Sequence, residues 1–390
     1  MNILILEDED NKLNAISGEL NLINADIKST KVDNFSDFMR ELFVRKYDLI
    51  IADLIVPRFR NDNNPVDVTD SIIEQVRDIQ CINFYTPLLA LSQFADEEIF
   101  TSLNNQKVIV ITYSDTNDWR EALKRIVTDN MPKPQYDFVI ICALAKETQG
   151  FIDAGYEIGE SEIIQGLDCR KISISNVHGV IVTCPRMGLV TCSIIASKAI
   201  EYFDPNLICM SGICAGINSK VAVYDIVIPD ICHQHDFGKW GNKGFEPEHY
   251  SVQLKHVTRT SIQQFIKRRN FLDDLVKNIS IKRQEFPNNC DEIKPNVILA
   301  PASSGSAVIA DDNMNEVVKA QHRKMTAFEM ETFAVYEAAR LSTKQIDYFS
   351  AKCVVDDGGE SKSDDYHRIA CILSAKAVYA IIANCHNCHK

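Results

Sequence analysis

The sequence predicts two α/β units in tandem, and three observations point to this. Short apolar runs alternate with amphipathic stretches over the first ~130 residues, a proline-bearing segment Met131-Pro132-Lys133-Pro134-Gln135 interrupts them, and a new apolar strand opens at Tyr136–Ala143. A chain of 390 residues also exceeds what one ordinary core holds, so length alone suggests two or three domains. The expected boundaries are a first domain at 1–130, a linker at 131–136 and a second domain at 137–390.

In the first unit, residues 2–6 (NILIL), 48–52 (DLIIA), 87–91 (PLLAL) and 107–112 (KVIVIT) read as buried parallel strands, with helical patterns such as Asn34–Arg45 and Thr69–Asp78 between them. Strand and helix in alternation give a doubly wound sheet. Two prolines in three residues then block helix and favour extended chain. In the second unit the expected strands are Gly179–Cys184, Leu207–Ser211, Asp225–Pro229, Val297–Pro301 and Tyr348–Val355. Helices are expected at Cys192–Phe203, Met314–Gln321, Glu331–Ser342 and Asp364–Ile382. The polar stretch Gly238–Asn289 reads as an insertion that shapes a pocket or a subunit contact.

Composition excludes several classes of function. The apolar share of 46% and charged share of 24% are those of globular protein, and the net charge of -13 argues against nucleic-acid binding, which needs a basic face. No stretch reaches the roughly 18 to 20 uncharged apolar residues of a membrane span. The opening MNILIL is an apolar strand followed by acids, without the basic start of a signal peptide. The thirteen cysteines lie mostly in apolar runs and read as reduced, buried side chains, so a cytoplasmic location is expected.

Glu7 and Asp8 follow the first strand, Asp53 ends a second with Pro57 four residues on, and Ser92 ends a third. Ligands of an open parallel sheet gather at the carboxyl ends of its strands. Glu7, Asp8 and Asp53 together offer hard oxygens suited to Mg²⁺, with Ser92 placed to bond a phosphoryl group on Asp53. Residues ~1–128 resemble the response-regulator receiver family, whose fold is flavodoxin-like: ILILEDED matches its acidic strand end, DLIIADLIVPR its phosphoacceptor strand and PLLALSQF the strand with its switch hydroxyl. The resemblance implies phosphorylation of Asp53 by a cognate histidine kinase. One departure is the family's lysine after the fifth strand: here VIVITYSD places Thr112 and Tyr113 there, with Lys107 at the strand's start.

The second unit carries acids suited to another chemistry. Breaking a purine N-glycosidic bond passes through an oxocarbenium-like sugar. One carboxylic acid must protonate the leaving base, a second must hold the ribose hydroxyls, and a third can activate water. Glu147 after VIICALAKE, Glu331 in FEMETFAVYEAAR and Asp356 in AKCVVDDGG stand at strand ends or helix starts. A small-residue turn, Met210–Gly216, would let the backbone approach a ligand through Ser211 and Gly212.

In this order these segments resemble the nucleoside phosphorylase superfamily over residues ~137–385, nearest its nucleosidases for methylthioadenosine, adenosylhomocysteine and adenosine monophosphate. The resemblance implies that Glu147 handles water, that Met330 and Glu331 clamp the ribose, that Asp356 protonates the base, and that Val308 and the Ser211-Gly212 turn contact substrate. It implies no cofactor for glycosidic cleavage and, as the superfamily often builds sites at subunit contacts, a homo-oligomer.

Two departures bear on the substrate. Val355 stands where relatives have serine, and Cys184-Pro185-Arg186-Met187-Gly188 replaces a glycine-rich turn near the sugar. Arg186 suits bidentate phosphate contact, and equally a surface ion pair. Lys239, Lys243, Arg323 and Lys324 would either extend such a site or simply be solvated. The pairing of units also resembles the effectors of Detocs-type phage-defence two-component systems, whose related nucleosidases remove adenine from ATP.

Three readings follow: a receiver-gated hydrolase of an adenosine nucleotide, with ATP favoured; a methylthioadenosine/adenosylhomocysteine nucleosidase or purine nucleoside phosphorylase; and a nucleotide-binding output module without catalysis. The tail Cys385-His386-Asn387-Cys388-His389 has the spacing of haem attachment, but reads as chance or adventitious metal binding. His233, His235 and Asp236 read as a structural or substrate-gating loop.

Overall fold

A computed structural model describes residues 1–385 apart from 63, 94–102, 104, 218–219, 243, 269, 288–289, 310–311 and 359–363. Lys243 and the tail residues His386–His389 therefore lie outside the described residues. The chain divides into two compact units, Met1–Lys133 and Pro134–Lys390.

The strands of the first unit are β1 (Asn2–Leu6), β2 (Lys28–Val32), β3 (Leu49–Ala52), the short pair β4 (Ile55–Pro57) and β5 (Pro65–Asp67), β6 (Leu88–Ser92) and β7 (Val108–Thr112). Five of them form a sheet in the order β2-β1-β3-β6-β7, with every pairing parallel. Period-two alternation divides their side chains between two faces. Leu4, Leu6, Ile50 and Ala52 pack with Phe38, Leu42, Ile72 and Val76 of helices Phe35–Val44 and Thr69–Val76. Ile3, Ile5, Leu49 and Ile51 pack with Ile16, Leu20, Trp119 and Leu123 of helices Asp10–Ile23 and Asp118–Asp129. Burying each such aliphatic side chain is worth about 1.5–3 kcal/mol, and burial on both faces is why these strands read as continuous apolar runs. Asn34 starts its helix by accepting the N–H of Asp37 at 2.9 Å. Strand order reverses between β1 and β3, so Glu7, Asp8 and Asp53 emerge on either side of the switch point.

The second unit opens with β8 (Phe138–Cys142), β9 (Glu162–Ile164), β10 (Leu167–Ile174), β11 (Val177–Thr183) and β12 (Leu207–Gly216). It continues through β13 (Ile226–Gln234), the hairpin β14 (Gly238–Gly241) and β15 (Gly244–Pro247), and β16 (Tyr250–Gln253). It closes with β17 (Val297–Ser304), β18 (Ala327–Glu329) and β19 (Asp347–Asp356). Ten strands form one mixed sheet in the order β16-β13-β17-β18-β12-β8-β11-β10-β9, with β19 pairing both β12 and β13. The stretch expected as an unreadable insertion supplies the hairpin, the edge strand β16 and helices His256–Ile266 and Phe271–Val276.

One expectation changes. The small-residue turn at Met210–Gly216 is a continuation of β12, paired with β19 as far as Ala215↔Asp356 through a register shift after Cys214. Its glycines serve close packing instead of a turn. One helical segment, Asp364–Asn384, is long and apolar enough by composition to cross a membrane, but it carries Arg368 and Lys376, so it is not the uncharged apolar run of a span. It is apolar because the window is 61% buried, with Ile369, Leu373 and Val378 in the main core. Among cysteines with described side chains, only Cys290 is exposed and none is in a disulfide.

Candidate active site

A cavity of about 290 Å³ opens where β8, β12, β18 and β19 end. Its lining includes Glu147, Met330, Glu331, Asp356 and Val308, so five of the residues singled out from sequence meet there. Arg186, Ser211 and Gly212 are not among the described residues that line it. Arg186 is exposed and its Nε donates to Thr191 Oγ1 at 2.8 Å. Ser211 is fully buried, with its hydroxyl 2.7 Å from that of Ser374. Lys239, Arg323 and Lys324 are exposed and also off the cavity wall.

Glu147 lies in the first turn of helix Ala145–Asp153, directly after β8. Its Oε2 accepts the N–H groups of Ala143 at 2.7 Å and Leu144 at 3.1 Å, and its Oε1 accepts that of Ile213 at 3.1 Å. Gly212 is what permits this approach: a Cβ there would stand 2.4 Å from Glu147 Oε1. Gly212 therefore packs directly behind the Glu147 carboxylate. Gly212→Ala is expected to displace Glu147 and lower turnover by about 100-fold or more, with a smaller loss of melting temperature. Steady-state rates and a thermal melt check both.

Burial pushes the Glu147 carboxyl from 4.5 up to about 7, although Lys352 pulls the other way. A carboxyl of that value is suited to general base work at neutral pH. The shift has a consequence for stability. With the folded value above the unfolded one, the native state holds the proton more tightly, so Glu147's contribution falls as pH rises from about 4.5 to about 7. The change is on the order of 3 kcal/mol. Glu147→Gln should remove that part of the slope in urea unfolding measured across the window.

Sequence reasoning missed two charged residues that organise the floor. Lys352, in β19, is 2% exposed and donates to Glu331 Oε2 at 2.7 Å and Glu329 Oε2 at 2.5 Å. Glu329 also takes the N–H groups of Glu331 and Thr332, each at 2.9 Å on Oε2, together with the hydroxyl of Ser304. Burial alone would raise Glu329, but Lys352 and these donors hold it below the ordinary carboxyl value. Burial likewise opposes the Lys352 charge, yet Glu329, Glu331 and Glu147 hold its pKa well above the ordinary lysine value. Glu331 Oε1 accepts the Gly188 N–H at 3.0 Å. Each of its oxygens thus keeps a lone pair for a ligand hydroxyl.

At the cavity wall, Asp356 ends β19 and its Oδ1 accepts the Gly358 N–H at 2.8 Å. Lys146 and His367, each opening a helix, also line the cavity, with Lys146 Nζ 2.6 Å from His367 Nδ1. Burial, then the Lys146 charge, lowers the His367 pKa. Asp364 Oδ1 stands 3.0 Å from the same ring nitrogen. His235 Nδ1 lies 3.1 Å from Ser303 Oγ, and Asp236 accepts the Ser306 N–H at 2.6 Å. This pair pins the chain entering Ala307 and Val308, consistent with a structural role for the loop.

Comparison with known proteins fits this architecture. A protein of Sinorhizobium fredii named "Uncharacterized protein y4jS" is 23% identical over 418 residues, 98% of each chain. The ATP nucleosidase Cap17 of Escherichia coli strain KTE188 is 23% identical over 205 residues, 51% of this chain and 40% of that protein. Among solved structures, the MTA/SAH nucleosidase of Streptococcus pneumoniae with 8-aminoadenine gives a TM-score of 0.50 at 16% identity, covering 64% of this chain and 99% of that one. The corresponding nucleosidase of Colwellia psychrerythraea with adenine gives 0.50 at 15% identity, covering 65% and 97%. These structures share the fold of the second unit. The phosphorylase superfamily model matches residues 137–385, and the chain belongs to that superfamily.

Proposed function

We propose that the 134–390 unit hydrolyses the N-glycosidic bond of a purine nucleotide, with ATP favoured. The observation that carries this reading is the convergence of Glu147, Glu331 and Asp356 on one cavity, with Glu147 tuned to about 7. Water attacks C1′ of the ribose and gives a proton to Glu147. The C1′–N9 bond breaks, its electron pair passes to the purine, and Asp356 supplies the proton that the departing base takes up. Glu331 holds the ribose hydroxyls on its free lone pairs. These groups account for every proton in the step, and no cofactor enters it.

The phosphate preference rests on different residues from those first expected. Lys146, not Arg186, lines the cavity, and its only hydrogen-bond partner among the described residues is an imidazole. The relative named as an ATP nucleosidase supports the same preference. A second reading, a nucleosidase for a thioether nucleoside, is favoured by the apolar lining of Leu144, Met187, Val308 and Ile309. A histidine kinase acting on Asp53, self-association, a cytoplasmic location and a role against phage go with the first reading. They rest on the combined resemblance of the two units.

The full chain should be offered ATP, AMP, adenosine and methylthioadenosine, alongside the Lys146→Ala variant. The expected result is release of adenine from the nucleotides, with Lys146→Ala lowering kcat/KM for ATP by about tenfold or more and leaving adenosine unchanged. Activity confined to methylthioadenosine would select the second reading. No base released from any substrate, with or without acetyl phosphate, would leave a binding module.

A further inference from the structure

The acids Glu7, Asp8 and Asp53 were expected to hold Mg²⁺, and their arrangement does not fit it. The ammonium of Lys12 lies between two of them, 2.7 Å from Glu7 Oε2 and in contact with Asp53 Oδ2. Among the described residues, no group of three or more His, Cys, Asp or Glu is placed to hold a metal ion.

Everything local about Lys12 argues against its burial except those carboxylates. It sits in the first turn of helix Asp10–Ile23, where the helix dipole disfavours a cation. It is 1% exposed, and lysine is almost never so buried unless paired. Its three donors are accounted for: one faces Glu7, one Asp53, and the third side looks onto the Tyr113 ring, 5.5 Å from its centroid. The backbone holds this geometry in place. Asp53 donates its N–H to Leu6 O at 2.8 Å, Glu7 to Val32 O at 3.0 Å, and Tyr113 to Ser92 O at 3.0 Å. Tyr113 is one of the residues standing where a lysine after β7 was expected. The positive charge missing from that strand end is present, delivered from the opposite side of the cleft by the first helix.

We propose that Lys12 is the resident cation of this cleft: it neutralises Glu7 and Asp53 in place of a divalent metal and excludes Mg²⁺ from them. Lys12 is thus a positioning residue for Asp53, and the ionic state of the cleft is set by the chain itself.

The reporter is Trp119, whose ring lies 5.0 Å from that of Tyr113. The chain has two tryptophans, and Trp240 is 79% exposed, so Trp240→Phe leaves Trp119 as the single probe in the full chain. In that background Mg²⁺ is titrated into the parent, Lys12→Met, Lys12→Arg and the Lys12→Met/Asp53→Asn double variant. The parent and Lys12→Arg are expected to show no saturable change in fluorescence. Lys12→Met should gain one, with apparent affinity tighter by about tenfold or more, and Asp53→Asn should abolish the gain. A saturable response in the parent that Asp53→Asn removes would overturn the proposal, and so would a Lys12→Met chain that stays silent. If Lys12→Met does not fold, Lys12→Gln carries the same comparison.

Discussion

Asp356→Asn is expected to abolish release of the base while leaving the fold and the cavity unchanged. Asparagine keeps the shape of the side chain and its carbonyl can still accept the Gly358 N–H, 2.8 Å from Oδ1 in the native chain. What it cannot do is deliver a proton to the departing purine. General acid catalysis of this kind is worth about 10² to 10⁴ in rate, so kcat should fall by roughly that factor with KM little changed. A thermal melt should match the parent. Full activity in this variant would show that another group protonates the leaving base.

Lys352→Met is expected to have the largest effect on stability. It removes the one ammonium among the described residues that contacts Glu329 and Glu331 and leaves both carboxylates buried without it. Breaking a buried pair by deleting one partner typically costs about 3–5 kcal/mol, and here one lysine serves two partners. Urea unfolding of the second unit should show a lowered midpoint, with Lys352→Arg retaining part of it. Lys352 also lowers the Glu147 pKa, so its loss should raise that value and move the rising limb of the pH–rate profile to higher pH. A midpoint unchanged from the parent would mean that the two glutamates are solvated or protonated without Lys352.

The doubly wound first unit was legible because β3 and β6 are buried along their whole length, and β1 at every position after Asn2, and so form uninterrupted apolar runs. β2, with the polar sequence KSTKV, was not legible, because an edge strand lacking fully buried residues has no apolar signature. The carboxylates of the second unit were legible by order and chemistry. Their counter-charge was not singled out, although Lys352 is the only charge in the run SAKCVV of β19, and a charge inside an apolar strand implies a buried partner. Glu329 carried a similar signal, lying two residues from Glu331 with an apolar neighbour on each side. Ser211 and Gly212 were placed on the ligand because glycines after a strand suggest a turn. The strand instead runs on, and Gly212 makes room for Glu147. Lys12 gave no such signal, since a lysine in an amphipathic helix usually faces water. Only the return of β3 beside β1 brings Asp53 to it.

We propose that the cavity between Glu147, Glu331 and Asp356 hydrolyses a purine nucleotide at its glycosidic bond. The most direct measurement is chromatography of ATP incubated with the purified full chain in phosphate-free buffer, with and without acetyl phosphate. The predicted result is free adenine and ribose 5′-triphosphate in equal amounts, absent with Asp356→Asn. ATP recovered intact under both conditions, or adenine appearing only when inorganic phosphate is added, would contradict it.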